Sequence, residues 1–443
     1  MIRRSLALAV ALSLTAAPAL AQDLFQTYEL ARTNDPQLSI AESNRLSTKE
    51  GAVQARAALL PQINGSAALS RAHGAGDTGT SRGRTYRATL GQTVFDWAAI
   101  SSLRSQRAIS TAADYDLDAA NDELITRTAN AYFDVLVATE TLAAAEAAET
   151  AFQKQFDYAD KRLEVGLAPI TDVHEARAQY DSARANTILV RNALQDAYQA
   201  LSEITGTPVS TLKALPDDFR PELPSGRTAQ QWVDQALEGN PSLQAARYAA
   251  QASEHSVTAA KAGHLPTLDV SAGYSNGTSW YSPSPGSVSV VDEGNTIGLT
   301  LTVPIFSGGA TQSRVRQAIA SRDVAQDQVE QGRRAIERNT RNAYQALVAG
   351  ISEVEARRLA LVSAQSAYDA SQVGLEVGTR TVIDVLINQQ NLFTARQNYA
   401  TARYNYLRNR LNLGLAAGTL DVADVQEVNR LLTVDVAAAE PLQ

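Results

Sequence analysis

This chain repeats itself once, and the length of the repeat limits what it can fold into. Asn34-Asp-Pro-Gln-Leu38 and Gly239-Asn-Pro-Ser-Leu243 each open a helical run, and the two runs end at Leu60-Pro61 and Leu265-Pro266. Pro36/Pro241, Leu38/Leu243, Pro61/Pro266, Ser66/Ser271 and Ser70/Ser275 share one offset of 205 residues. The offset grows to 211 at Phe95/Phe306. From Asn130-Ala-Tyr132/Asn342-Ala-Tyr344 it is 212, and it holds through Glu164-Val-Gly166/Glu376-Val-Gly378 and Asp172-Val173/Asp384-Val385 to Gly206-Thr207/Gly418-Thr419. Solenoid periods end near about 50 residues, so this is a duplicated half-molecule. Residues 22–235 form one copy, 236–415 the other, and 416–443 a tail.

Residues 1–21 read as a secretory signal. Arg3 and Arg4 make the basic start, Leu6 to Leu14 the apolar core, and Ala19-Leu20-Ala21 the small-residue cleavage site. The alternative, a membrane anchor, needs an apolar run of about 20 residues, and Pro18 interrupts this one. Cleavage before Gln22 leaves no cysteine for lipid attachment. Losing Arg3 and Arg4 takes the formal net charge from −8 to −10, which argues against nucleic acid as a partner. With no cysteine there is no disulfide and no thiolate metal site. No other segment is an apolar helix long enough for a bilayer, so any span must be made of strands.

Within each half the order is helix, strand, strand, very long helix, helix. From residue 98 to about 165 there is no proline, and the first glycine is Gly166. Alanine, Glu, Gln, Arg and Leu dominate, all good helix formers. At 1.5 Å per residue the run would reach roughly 100 Å. Its twin, 310–377, has three glycines and again no proline. Helices beyond about 25 residues point to coiled-coil or bundle packing, and alanines such as Ala143-Ala-Ala145 allow close approach. The long helices are placed at about 98–205 and 310–415.

Strands are expected at about 61–96 and 266–307. At 85–94, Tyr86, Ala88, Leu90 and Val94 oppose Arg87, Thr89, Gly91 and Thr93. At 296–305, Ile297, Leu299, Leu301, Val303 and Ile305 oppose Thr296, Gly298, Thr300 and Thr302. Leu268, Val270, Ala272 and Tyr274 alternate after Pro266, and Ile63, Ala67 and Leu69 more weakly after Pro61. Any one such strand fits a half-buried soluble hairpin. Four of them in duplicated hairpins behind a signal segment fit an outer-membrane barrel. Residues 72–83 and 275–294, rich in Gly, Ser, Thr and Pro, are expected to be extracellular loops. Two hairpins cannot close a barrel, and open edges are not tolerated in lipid. Two chains would give eight strands filled by side chains; three would give twelve and leave room for a pore.

The segment Val165-Gly-Leu-Ala-Pro-Ile-Thr-Asp-Val173, followed by Ala176-Arg-Ala-Gln-Tyr180, resembles the first-repeat turn of TolC-type outer-membrane channels. Val377-Gly-Thr-Arg-Thr-Val-Ile-Asp-Val-Leu386 resembles their second-repeat turn. Gly263-His-Leu-Pro-Thr-Leu268, Pro304-Ile-Phe-Ser-Gly-Gly309 and Ala402-Arg-Tyr-Asn-Tyr406 support the likeness, which covers essentially the whole mature chain. The resemblance implies a homotrimer in the outer membrane, with a twelve-stranded β-barrel continued by a long periplasmic α-helical barrel. It also implies an equatorial belt, which fits residues 206–235 and the tail beyond Ala416. The implied role is the exit duct of type I protein secretion and multidrug efflux. Its implied partners are outer-membrane lipid, a periplasmic adaptor and an inner-membrane pump of ABC or RND type.

The resemblance also implies that the helix-turn tips close the periplasmic entrance until an adaptor engages them, with Gly166 and Gly378 at the tips. Arg380 matches the family's constricting arginine, and Thr171 and Asp172 match its partners. Asp384 matches one of two acidic positions lining the constriction, a carboxylate ring favouring cations. The second acidic position is Ile387, and a linking tyrosine is replaced by Leu375. For Asp172 and Asp384 the competing role is helix N-capping; the new helices are expected near Thr171-Asp172 and near Asp384. No catalytic, metal-binding or cofactor-binding residues are expected. The four histidines, at 73, 174, 255 and 264, lack ligand spacing, and Gly308-Gly309 lacks the Lys-Ser/Thr of a phosphate loop. The other functional class to weigh is a periplasmic coiled-coil adaptor or structural protein.

Overall fold

In the computed structural model, residues 22–73, 80–209, 211–223, 226–282 and 288–437 are described. The signal segment and the last six residues of the tail lie outside these. The first half gives α1 (Leu24–Asn34), α2 (Pro36–Ala57), β1 (Gln62–His73), β2 (Thr80–Phe95), α3 (Trp97–Glu164), α4 (Ile170–Thr205) and β3 (Thr211–Ala214). The second gives α5 (Ala229–Gly239), α6 (Pro241–Ala262), β4 (Thr267–Ser282), β5 (Val288–Thr302), α7 (Ala310–Glu376), α8 (Val382–Ala417), α9 (Val422–Leu431) and β6 (Val434–Ala437).

Local chemistry sets these boundaries. Asp23 and Gln26 form a capping box that starts α1. Asn240 caps α6 through Leu243 N, with Pro241 at the first helical position. Asp96 accepts from the N–H groups of Ala98 and Ala99 at 2.8 and 3.1 Å, opening the 68-residue α3. Gly206 and Gly418 end α4 and α8 in the left-handed conformation.

The chain divides into two compact units, each drawing on both halves. One comprises Ser39–Ala120 and Gln235–Arg338. Its sheet has the order β1-β2-β4-β5, antiparallel throughout, and β1 and β5 each lack a second neighbour among the described residues. Register and alternation put Ile63, Leu69, Tyr86, Leu90, Val291, Ile297, Leu299 and Leu301 on one face. That face is bare: Ile297 is 87% exposed and Ile63 75%. Soluble monomers rarely expose so large an apolar surface. In the helical part of this unit, Ser105 Oγ donates to the carbonyl of the buried Ala252 at 2.9 Å, and Ala108 and Ala112 are buried as well. Tyr115 stacks on Tyr248 at 5.5 Å.

At the hairpin end the strands run further than the alternating pattern reaches, while at the other end β5 stops at Thr302, short of Val303 and Ile305. Residues 72–73, 80–83, 275–282 and 288–294, expected as loops, are paired strand. Ladder hydrogen bonds come from the backbone, so pairing continues through Ser, Thr and Gly after the apolar pattern ends. The remaining loop residues, 74–79 and 283–287, lie outside the described residues.

The second unit comprises residues up to Leu38, Asn121–Asp234 and Asn339–Gln443. Leu124, Tyr132, Phe133, Leu136, Leu194, Leu201, Tyr404 and Leu407 are buried in it. The short β3–β6 ladder is fastened to the long helices by tyrosines. Tyr132 Oη donates to Lys213 O at 2.9 Å and accepts from Lys213 N at 2.8 Å. Leu215 N donates to Tyr404 Oη at 3.4 Å, and Tyr406 Oη exchanges hydrogen bonds with the backbone of Glu222. These are the tyrosines of the Asn130–Tyr132 and Ala402–Tyr406 motifs. Burial raises the phenols of Tyr132 and Tyr404 well above their ordinary range, which keeps them neutral donors. Among the described residues no helix is long and apolar enough to cross a membrane.

Candidate gate at the helix turns

Two helix–turn–helix tips lie in the second unit. In the first, Gly166 closes α3 with φ 73°; Leu167 N donates to Arg162 O at 2.8 Å and Gly166 N to Leu163 O at 2.9 Å. In the second, Gly378 closes α7 with φ 75°; Thr379 N donates to Gly374 O at 2.8 Å and Gly378 N to Leu375 O at 3.2 Å. This double bond is the Schellman closure. A Cβ at either glycine would meet nothing within 4 Å. Backbone conformation, not space, is therefore what calls for glycine there.

The tips differ where α4 and α8 begin. Thr381 caps α8: its Oγ1 accepts from Asp384 N at 3.3 Å, while Asp384 Oδ2 accepts from Thr381 N at 2.8 Å and from its hydroxyl at 2.9 Å. These bonds, led by the backbone N–H, hold the Asp384 carboxyl below its ordinary range, and the Arg380 charge adds to the lowering. Asp384 is thus both a capping-box residue and an ionised group at the tip. At the same offset, the first tip has Pro169. Proline carries neither hydroxyl nor N–H, so no capping box forms. Asp172 sits in the third position of α4, half-buried, and its side chain caps nothing. Both helices begin slightly before the expected points, at Ile170 and Val382, because the caps are Pro169 and Thr381.

Arg380 is exposed, and its side chain lies against the backbone of α7. A Cβ built on Gly374 would stand 2.6 Å from Arg380 Cγ. The Gly374 carbonyl accepts from Thr379 N, from Arg380 N at 3.1 Å and from Thr379 Oγ1 at 3.2 Å. Within the chain Arg380 makes no hydrogen bond or ion pair with Thr171 or Asp172 among the described residues; Thr171 is exposed. The sequence reading missed Gly374 and Thr381. The Thr-x-x-Asp spacing was available as a capping signal, whereas no local signal marks Gly374.

Behind the tips, Phe152, Ala148, Val382 and Leu386 form a buried cluster, with Tyr180, Leu375 and Phe393 packed against it. Phe152 meets Phe393 edge-on at 6.4 Å, and Phe156 stacks on Tyr180 at 6.4 Å. Leu375 therefore adds packing where a tyrosine would add a polar link. Ile387 is 55% exposed, an apolar surface in place of a second carboxylate.

The comparisons with known proteins fit this geometry. The model of the outer membrane efflux protein family matches residues 27–207 and 232–419. The outer membrane protein TolC of Escherichia coli is 34% identical over 447 residues, covering 98% of this chain and 90% of that one. The proteases secretion protein PrtF of Dickeya chrysanthemi is 28% identical, covering 96% and 94%. The fold matches the solved CmeC outer membrane channel of Campylobacter jejuni with a TM-score of 0.78 at 20% identity, covering 93% and 90%. The chain belongs to the outer membrane efflux protein family, and its place is the Gram-negative outer membrane, with its helical portion in the periplasm.

Proposed function

We propose that three copies of this chain form a passive exit duct. The duct has a twelve-stranded barrel in the outer membrane and an α-helical barrel in the periplasm, and serves type I secretion and multidrug efflux. One observation carries the reading: a four-stranded sheet with a bare apolar face and two open edges. In lipid such edges must pair, and β1 of one copy on β5 of the next closes the wall. Twelve strands leave a lumen that eight would fill.

The tips are the gate. Arg380 finds no acceptor at Thr171 or Asp172 in its own chain, so its partners are those residues in a neighbouring copy. Asp384, ionised and capping its own helix, contributes one carboxylate per copy to a ring at the entrance. A periplasmic adaptor engages the tips around Gly166 and Gly378, and an inner-membrane pump supplies the energy. The names of the relatives, one a secretion protein, support transport without catalysis. Purified protein placed in planar bilayers tests this. Trimers with a small, steady conductance support the duct, and a soluble monomer that leaves bilayers sealed refutes it in favour of an adaptor.

A further inference from the structure

Three arginines occupy the apolar face of the sheet at the end remote from the helices. Alternation carries Ile63, Ala67 and Leu69 of β1 on to Arg71, and Leu90 and Tyr86 of β2 on to Arg84 and Arg82. Arg71 stands directly opposite Arg82, and Leu69 opposite Arg84. On the other side Arg82 faces Trp280 and Arg84 faces Thr278 of β4. The Arg84 guanidinium lies 5.5 Å from the Trp280 ring centroid. All three arginines are exposed, and none has a carboxylate within ion-pair reach among the described residues. Glu293, the acid on this face of β5, already accepts from Tyr274 Oη at 2.8 Å.

Two observations make this more than a solvated edge. Like charges directly opposite on a sheet repel across about 5 Å, yet the register brings Arg71 and Arg82 together with no acid between them among the described residues. Trp280 also marks the level, since tryptophans on the lipid side of a barrel gather at the headgroups. The helices that flank the strands are periplasmic, so the hairpin end meets the outer leaflet. Arginine forks match phosphate oxygens in pairs.

Resting on the barrel reading above, we infer that Arg71, Arg82 and Arg84 form a binding site for the phosphate groups of an anionic glycolipid in the outer leaflet. The phosphate relieves the Arg71–Arg82 repulsion, and Trp280 packs beside the sugar and upper acyl carbons. The site lies on the outside of the wall, so it anchors the duct without narrowing it.

The test titrates detergent-purified trimers with a diphosphorylated glycolipid and with its dephosphorylated form, read by native mass spectrometry. The wild type binds the phosphorylated form saturably and the dephosphorylated form weakly. Arg71→Gln/Arg82→Gln/Arg84→Gln loses on the order of tenfold in affinity per arginine. Arg87→Gln, on the opposite face of β2, binds like wild type. Should the triple variant fail to assemble, Arg82→Gln alone carries the test, with about a tenfold loss expected. Equal binding by the arginine variants, or of both glycolipids, overturns the site. If those trimers still conduct in bilayers, the barrel reading stands; absence of trimers and conductance overturns both.

Discussion

Arg403 reaches across 263 positions of sequence to hold both carboxylate oxygens of Glu140 from one guanidinium nitrogen, at 2.8 and 2.7 Å. Its other terminal nitrogen donates to Pro216 O at 3.1 Å, and Tyr404 Oη donates to Glu140 at 2.9 Å. Helices α3 and α8 and the segment after β3 are thereby joined at one point. Arg403 is 4% exposed. A charge this deep is tolerated only when paired.

Removing both partners should cost less than the two separate removals add up to. Arg403→Ala leaves Glu140 facing a pocket built for a cation, and a loss of about 3 kcal/mol is expected. Glu140→Leu leaves the arginine only the Pro216 carbonyl and the exposed Asp217 carboxylate at 3.9 Å, and costs about 2–3 kcal/mol. The Arg403→Met/Glu140→Leu double variant should lose less than the sum of the singles, with a coupling of about 1–3 kcal/mol. Denaturant unfolding of purified trimers measures all of these, and additive losses would reject the pair as a unit.

Gly374 gives a route to Arg380 that leaves the arginine in place. A methyl group there falls 2.6 Å from Arg380 Cγ, so Gly374→Ala should push the side chain off its seat. Closed-state conductance in planar bilayers should rise, as it should for Arg380→Ser. Wild-type conductance in Arg380→Ser would remove Arg380 from the gate. A rise in that variant alone would mean that the Gly374 seat does not position it.

Asp384 should make cation block depend on pH. Its carboxyl is held below the ordinary range by Thr381 N–H, the Thr381 hydroxyl and Arg380. A depressed carboxyl contributes its stabilisation above the unfolded value, near 3.9, and loses it as pH falls through the folded value. Block by multivalent cations and the α8 cap should therefore both persist at pH 5 and fail together in stronger acid. Asp384→Asn should raise the cation concentration needed for block at neutral pH. Unchanged block would place the carboxylate away from the pore.

Much of this architecture was legible because the chain gives two samples of each element. The paired alternation in 85–94 and 296–305 marks strands that neither would establish alone, and the proline-free runs give α3 and α7. The β3–β6 ladder was not legible: four-residue strands more than two hundred positions apart carry no periodic signal. Nor was the length of the hairpins, since Ser275–Ser282 pairs through its backbone while its side chains read as loop. Gly166 and Gly378 could be read from the Val-Gly motif, because a left-handed helix end demands glycine. The seat of Arg380 on Gly374 is a packing relationship, and a single sequence does not encode it locally.

Pro169 gives the first tip a different helix start from the second. In the second tip the hydroxyl and N–H of Thr381 engage Asp384; in the first, the proline leaves Asp172 without those partners. Pro169→Thr should build the missing capping box and stabilise the start of α4 by about 0.5–1 kcal/mol. The new cap would draw the Asp172 carboxylate onto its own helix and away from a neighbouring Arg380. A more stable tip should then make a weaker gate, seen as higher resting conductance in bilayers and greater sensitivity of cells to large antibiotics. If conductance stays at the wild-type level while the tip gains stability, Asp172 is no part of the closing link, and Thr171 alone would be left to receive the arginine.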